Sequence, residues 1–138
     1  MLKSPEQVIM RQLAVSPATA IELGHRVYPV LAPASASLPF ATVTRSGIER
    51  MQTLSSPMGV PTLTVSIAVF ASTYEQARRV ADAVRGVLDG WHGSAYSVDV
   101  LQVSLETESD DFVTLEGGDL PPVYQITMTF DILWQEET

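Results

Sequence analysis

The 138-residue sequence contains no cysteine, which excludes disulfide bonds, thiol catalysis and cysteine-ligated metal sites. Basic side chains are also scarce, with 8 Lys and Arg against 16 Asp and Glu, and the formal net charge is −8. Proteins that clamp nucleic-acid phosphates need clustered basic residues. The composition therefore argues against sequence-independent phosphate binding as the main role.

Long apolar segments are absent as well. No apolar run is long enough to cross a bilayer, and the first ten residues lack the apolar core of a signal peptide. We therefore expect a soluble protein without a cleavable export signal. The hydrophobic fraction of 46% and the charged fraction of 17% are typical of folded chains, and the length is most simply one domain, 1–138.

Motifs that carry catalysis or metal binding are also missing. The two histidines, His25 and His92, belong to no ligand spacing, and there is neither a G-x-S-x-G elbow nor a G-x-x-x-x-G-K phosphate loop. The densest carboxylate group comprises Glu106, Glu108, Asp110, Asp111, Glu116 and Asp119. Such a group can supply oxygen ligands to a hard cation, although an acidic hairpin is usually just solvated. We expect no enzyme, no catalytic residue, no cofactor and no metal site.

The organising stretch of the chain covers residues 61–91. It begins with the strand pattern in which Leu63, Val65, Ile67 and Val69 alternate with small or polar residues. Ser72 and Glu75 then have the spacing of a capping box, which predicts a helix over 74–89 that Gly90 ends. The apolar face of this helix comprises Ala77, Val80, Ala81, Val84 and Leu88.

The remaining elements follow from breakers and alternation. Ser-Pro pairs at residues 4–5 and 16–17 predict two short helices, and strands are predicted over 39–45 and 96–106, with a bulge near Val100. Strict alternation marks the last strand, where one face comprises Tyr124, Ile126, Met128, Phe130, Ile132 and Trp134. The order αα-ββ-α-ββ predicts an α+β fold, with a four-stranded, mainly antiparallel sheet and helices packed on one face.

Five short motifs, in their order and spacing, resemble a known family. They are R-V-Y-P at 26–29, L-P-F at 38–40, V-F-A-S-T-Y-E-Q-A-R at 69–78, V-R-G-V-L-D-G at 84–90 and Y-Q-I-T-M-T-F at 124–130. Over nearly the whole chain they resemble the tail completion family of long-tailed bacteriophages. The resemblance implies a tail terminator, also called a tail-to-head joining protein.

The resemblance further implies how such a protein works. It would cap the last ring of tail-tube subunits, stop polymerisation and dock the head connector, as a hexameric ring with DNA passing through the lumen. Its partners would be copies of itself, the major tail tube protein and the head-tail connector, without specific DNA binding and without a membrane. It would lie at the head-proximal end of the tail and assemble in the cytoplasm of the bacterial host. An acidic surface suits an open DNA channel.

Two segments are candidates for contacts in such an assembly because of their length and composition. They are the Ser-, Gly- and Met-rich loop 46–60 and the acidic segment 106–119, which is predicted to turn the chain. The candidate interface residues are Arg50, Met51, Met58, Glu108, Asp110 and Asp111. Mobile surface loops without a partner are an equally simple interpretation. The alternative function is a small cellular ligand-binding module, monomeric or dimeric, which would need a pocket of converging polar groups.

Overall fold

The computed structural model describes residues 5–24, 26–30, 37–49, 62–95, 98–113 and 123–136. Three helices lie within these ranges: α1 (Pro5–Val15), α2 (Pro17–Leu23) and α3 (Tyr74–Leu88). The strands are β1 (Val27–Pro29), β2 (Phe40–Glu49), β3 (Thr62–Ala71), β4 (Gly93–Ala95), β5 (Val98–Val113) and β6 (Val123–Glu136). None of the described helices combines the length and the apolar character needed to span a bilayer.

The strands form one mixed sheet in the order β1-β2-β3-β6-β5-β4. β1 runs parallel to β2, and every other neighbouring pair is antiparallel. α1 contacts β1 and β2 near one end of the sheet and β5 near the other. The sheet is therefore curled around α1 as a half-barrel.

The prediction of a four-stranded, mainly antiparallel sheet is wrong, because the sheet has six strands and one parallel pair. The two missed strands, β1 and β4, are three residues long, which is too short to show an alternating pattern. One contains a proline and the other reads Gly-Ser-Ala, so both resemble connectors in sequence. Both lie at edges of the sheet, where proline and short strands are tolerated.

Two predicted strands are longer than their sequence pattern indicates. β2 continues to Glu49, into the predicted loop 46–60, and β5 continues to Val113, through most of the acidic segment predicted to turn. Register shifts lie between Arg45 and Gly47, between Val100 and Gln102, and between Leu105 and Thr107. The bulge predicted near Val100 is confirmed, while the other two change the alternation that would have revealed the longer strands.

The core lies between the helices and one face of the sheet. The alternating residues of β3 and the apolar face of α3 are fully buried, as predicted. On β6 the predicted face is confirmed for Ile126, Met128, Phe130, Ile132 and Trp134, which are at most 4% exposed, while Tyr124 at its beginning is partly buried. In α2, Ile21 is 84% exposed, whereas Thr19 is buried. The Thr19 hydroxyl donates a hydrogen bond to the Leu13 carbonyl oxygen, which offsets the cost of burying it.

The N-terminus of α3 is capped one residue later than predicted. Thr73 is the N-cap, and its hydroxyl oxygen accepts a hydrogen bond of 3.1 Å from the Gln76 backbone N–H. Ser72 instead donates its hydroxyl to the Gln76 side chain, 3.4 Å away. At the other end, Gly90 takes the left-handed conformation with φ of 83°, as predicted. Ser4, the predicted cap of α1, lies outside the described residues.

Replacing Thr73 with alanine is expected to lower the free energy of unfolding by about 1 kcal/mol, since it removes the acceptor for a helix N–H group. Ser72→Ala is the matched control, because its hydroxyl is exposed and accepts no helix N–H. Urea unfolding followed by circular dichroism measures both. A larger loss in Ser72→Ala than in Thr73→Ala would contradict the assignment of the cap.

Candidate interface surfaces

The outer edge of β5 is only partly covered by the described residues. β4 pairs with Val98, Asp99 and Val100 at the beginning of the strand. Next, the Gly90 N–H donates to the Val103 carbonyl oxygen at 2.7 Å, and the Leu105 N–H donates to the Asp89 carboxylate at 3.2 Å. The turn after α3 thus covers the middle of β5, and no hydrogen bond among the described residues reaches the outer edge beyond Leu105.

The register of β5 on β6 shows which backbone groups face outward beyond that point. Residues of an antiparallel ladder alternate between exchanging hydrogen bonds with their partner and facing away from it. Leu105 faces away from β6, and the shift after Leu105 places Glu108 opposite Met128, Asp110 opposite Ile126, and Phe112 opposite Tyr124. Their β6 partners each lie an even number of residues from Phe130, the partner of Leu105, so these β5 residues face away from β6 as Leu105 does. The backbone N–H and C=O groups of residues 108, 110 and 112 therefore face outward.

The side chains of Glu108 and Asp110 lie on the helix side of the sheet, where α3 holds them. Arg78 forms salt bridges of 2.9 Å to Glu108, 3.2 Å to Asp110 and 3.3 Å to Asp82. The Tyr74 hydroxyl donates a hydrogen bond of 2.7 Å to the second carboxylate oxygen of Asp110. The Glu108 side chain is only 23% exposed, although the residue as a whole is exposed. The backbone of Glu108 is thus more exposed, in relative terms, than its side chain.

The contacts of Arg78 in this cluster keep its guanidinium charged. Partial burial lowers the pKa of Arg78, but the contact with the Tyr74 hydroxyl and the attraction of Glu108 outweigh that effect. The net result is a pKa of Arg78 above its ordinary value, so the guanidinium stays charged. Asp82 also forms a 3.4 Å salt bridge with Arg85, so two arginines face three carboxylates and the excess charge is negative. The edge of β5 therefore has an acidic rim.

Of the six candidate interface residues, the structure brings together Glu108 and Asp110. Asp111 follows them in β5, where its backbone is paired with Gln125, and its side chain lies outside the described set. Arg50, Met51 and Met58 also lie outside the described residues. An interface role for any of the six residues stays a prediction.

The opposite edge of the sheet is formed by β1, which Arg26 fixes in place. Its guanidinium donates hydrogen bonds of 2.8 Å to the Pro39 carbonyl oxygen and 3.0 Å to the Glu22 carbonyl oxygen. The ring of Tyr28 packs edge-on against Phe40, with 6.1 Å between the ring centroids. The motifs R-V-Y-P and L-P-F are thus neighbours in space. Arg26 thus links the two motifs, a structural role that its sequence context does not indicate.

A surface depression on α3 is lined by charged and polar side chains. Its lining comprises Tyr74, Glu75, Arg78, Arg79 and Asp82. Both arginines already have intramolecular partners. Arg78 is held by the carboxylates described above, and Arg79 forms a 2.9 Å salt bridge with Glu22 on α2. Among the described residues there is no group of three or more His, Asp or Glu arranged to hold a metal ion. The depression offers few free polar groups to a ligand.

Comparisons with known proteins give two findings. A family model described as "Tail completion protein gp17" matches residues 7–134. A chain of the solved structure "Virion of native gene transfer agent (GTA) particle" is similar, with a TM-score of 0.73, 15% identity and coverage of 91% of this chain and 90% of that chain. At this identity the likeness concerns the fold. A comparison with curated proteins returns no match.

Proposed function

Since the chain belongs to the tail completion protein gp17 family, we propose that it caps the phage tail tube and joins it to the head connector as a hexameric ring. Membership confirms the resemblance of the five motifs and supports a structural role in the phage tail, within the virion. The observation that carries the proposal is the extent of the match, which covers α1 to β6.

The two edges of the sheet support assembly as a ring. One is the acidic outer side of β5 beyond the part that β4 covers, and the other is β1, whose three residues are uncharged. A subunit with two different contact surfaces associates head to tail, and such contacts close into a ring when the rotation between subunits allows it. Six subunits would enclose a lumen.

The charge of the chain supports passage of DNA through that lumen without retention. The net charge of −8 repels phosphates, and attraction to DNA requires clustered cations that release counterions. Among the described residues, Arg45, Arg78 and Arg79 each pair with a carboxylate of the same chain. The protein would thus contact the tail tube and the connector, and leave DNA free to move.

A phage that lacks this protein tests the proposal. We expect filled heads, unattached tails and a broader distribution of tail lengths in electron micrographs, and joined particles when the protein is supplied in trans. The protein released from joined tails should have a native mass of about 90 kDa, six times the 15.0 kDa of one chain. Heads joined to tails of normal length in the absence of the protein would overturn the proposal.

A further inference from the structure

We propose that the outer edge of β5 pairs with β1 of a second copy, so that the sheet continues from one subunit to the next. The inference rests on the proposed ring and names the strands that form it. Four observations carry it: the register across the sheet, the strand directions, the parity of the outward backbone groups, and the charge of the two edges.

Paired residues form rows that run across the sheet, perpendicular to the strands. β1 lies in the same rows as the uncovered part of β5. Following paired residues across the sheet, Val27 leads through Ala41, Val69 and Ile126 to Asp110. By the same path Pro29 leads through Val43, Ile67 and Met128 to Glu108. Two copies side by side, without an offset along the strands, therefore place β1 of one against residues 108–110 of the other.

The strand directions agree with rotational symmetry. β1 is parallel to β2, and the three antiparallel pairings that follow make β1 antiparallel to β5. A rotation about an axis along the strands preserves these directions from one subunit to the next. The new pair would thus be antiparallel, which is the geometry that most of this sheet already has.

The backbone groups of β1 that face outward match those of β5. The Arg26 carbonyl oxygen and the Val30 N–H are bonded to β2, at Ala41 and Val43, so the alternation turns residues 27 and 29 outward. Asp110 and Val27 would exchange two hydrogen bonds, and the Glu108 N–H would donate to the Pro29 carbonyl oxygen. Proline has no N–H, so the fourth bond is absent.

The charges of the two edges favour pairing of β5 with β1 of a second copy over pairing with a second β5. Two β5 edges paired with each other would bring the acidic residues Glu106, Glu108 and Asp110 of both copies together, and like charges across strands are destabilising. β1 has the sequence Val-Tyr-Pro and presents no charge to this acidic rim. The acidic edge therefore disfavours pairing with itself and leaves the unlike pairing that a ring needs.

Two substitutions of Asp110 distinguish the contribution of its backbone N–H to assembly from that of its side chain. Asp110→Pro removes the outward N–H together with the carboxylate, whereas Asp110→Ala removes only the carboxylate. We expect Asp110→Ala to assemble like the unaltered protein on tails, and Asp110→Pro to remain at the 15.0 kDa mass of one chain. Equal assembly of both variants, or loss of assembly in both, would overturn the edge pairing. Circular dichroism verifies that each variant is folded.

A disulfide between subunits tests the register directly and does not depend on the proline variant. Tyr28 and Ser109 share a row through Thr42, Ala68 and Thr127, and in the proposed pair they form a non-hydrogen-bonded position. At such positions the Cα atoms are about 4.5 Å apart, within reach of a disulfide. Within one chain the two residues lie four strand spacings apart, roughly 19 Å along the sheet, which is too far.

The chain has no cysteine of its own, so the double variant Tyr28→Cys with Ser109→Cys is free of other thiols. Oxidation of assembled protein should give a ladder of covalent oligomers that ends at the ring size, while each single variant gives at most dimers. A ring of about 90 kDa that yields no ladder would overturn this pairing and leave the proposed function intact. Normal joining of heads and tails without the protein would instead overturn the function.

Discussion

Replacing Phe130 with alanine is expected to lower the free energy of unfolding by about 3–5 kcal/mol. Phe130 is 1% exposed and is the largest fully buried side chain described. It lies in β6 between Val65 of β3 and Leu105 of β5, so backbone hydrogen bonds fix the strands on both sides. The surrounding strands cannot close the cavity without breaking those bonds. Domains are stable by about 5–15 kcal/mol, so this one substitution removes a large share.

Thr129→Ala is the matched control for Phe130→Ala. Thr129 precedes Phe130 in the same strand, but its side chain lies on the other face and is partly exposed. Replacing a β-branched residue with alanine in a strand costs at most about 1 kcal/mol, well below the loss expected for Phe130→Ala. Urea unfolding followed by circular dichroism measures both variants. Similar losses in the two variants would contradict the assignment of the core face of β6.

The long elements could be predicted because their pattern repeats over many residues. β3 and β6 alternate over ten and fourteen residues, and α3 repeats its apolar face over fifteen. Each pattern reports one face packed against one core, and the structure buries that face in all three. Burial of a single face is a local property of the sequence, which explains why it can be read without the partner elements.

The short and the polar strands could not be predicted, because pairing with distant residues creates them. β1 is a strand because Arg26 fixes it beside β2, through the carbonyl of a residue thirteen positions later. The second half of β5 has polar side chains on both faces and a bulge at Glu106, so it has no consistent alternation. It is a strand because β6 pairs with it along its length. Tertiary pairing overrides local pattern at both edges.

The candidate interface could likewise be predicted only in part from the sequence. Glu108 and Asp110 stood out in the sequence for their charge alone, as part of an acidic segment. Their contacts with Tyr74 and Arg78 join residues thirty or more positions apart, which no local pattern indicates. In the structure the acidic side chains are engaged with α3, and the outward-facing group at these positions is the backbone. Composition thus located the surface, while the register identified which of its atoms are free to pair.

Replacing Arg26 with methionine is expected to lower the free energy of unfolding by about 2–3 kcal/mol, since hydrogen bonds from a charged donor contribute about 1.5–3 kcal/mol each. Methionine keeps much of the length of the side chain and removes the donors to the Pro39 and Glu22 carbonyl oxygens. These contacts link the end of α2 and the beginning of β2 to β1, which has only three paired residues. The loss should therefore release β1 first and reduce assembly on tails as well as stability.

Arg79→Met is the control, because it removes another arginine that contacts the same residue. Arg79 forms an exposed salt bridge with the carboxylate of Glu22. Arg26 instead donates a hydrogen bond to the backbone carbonyl oxygen of Glu22. Exposed ion pairs add little to stability because water and salt screen them. We expect the unfolding curve of Arg79→Met to match that of the unaltered protein. If the two variants lost the same stability, Arg26 would be one more surface charge, and the position of β1 would need another cause.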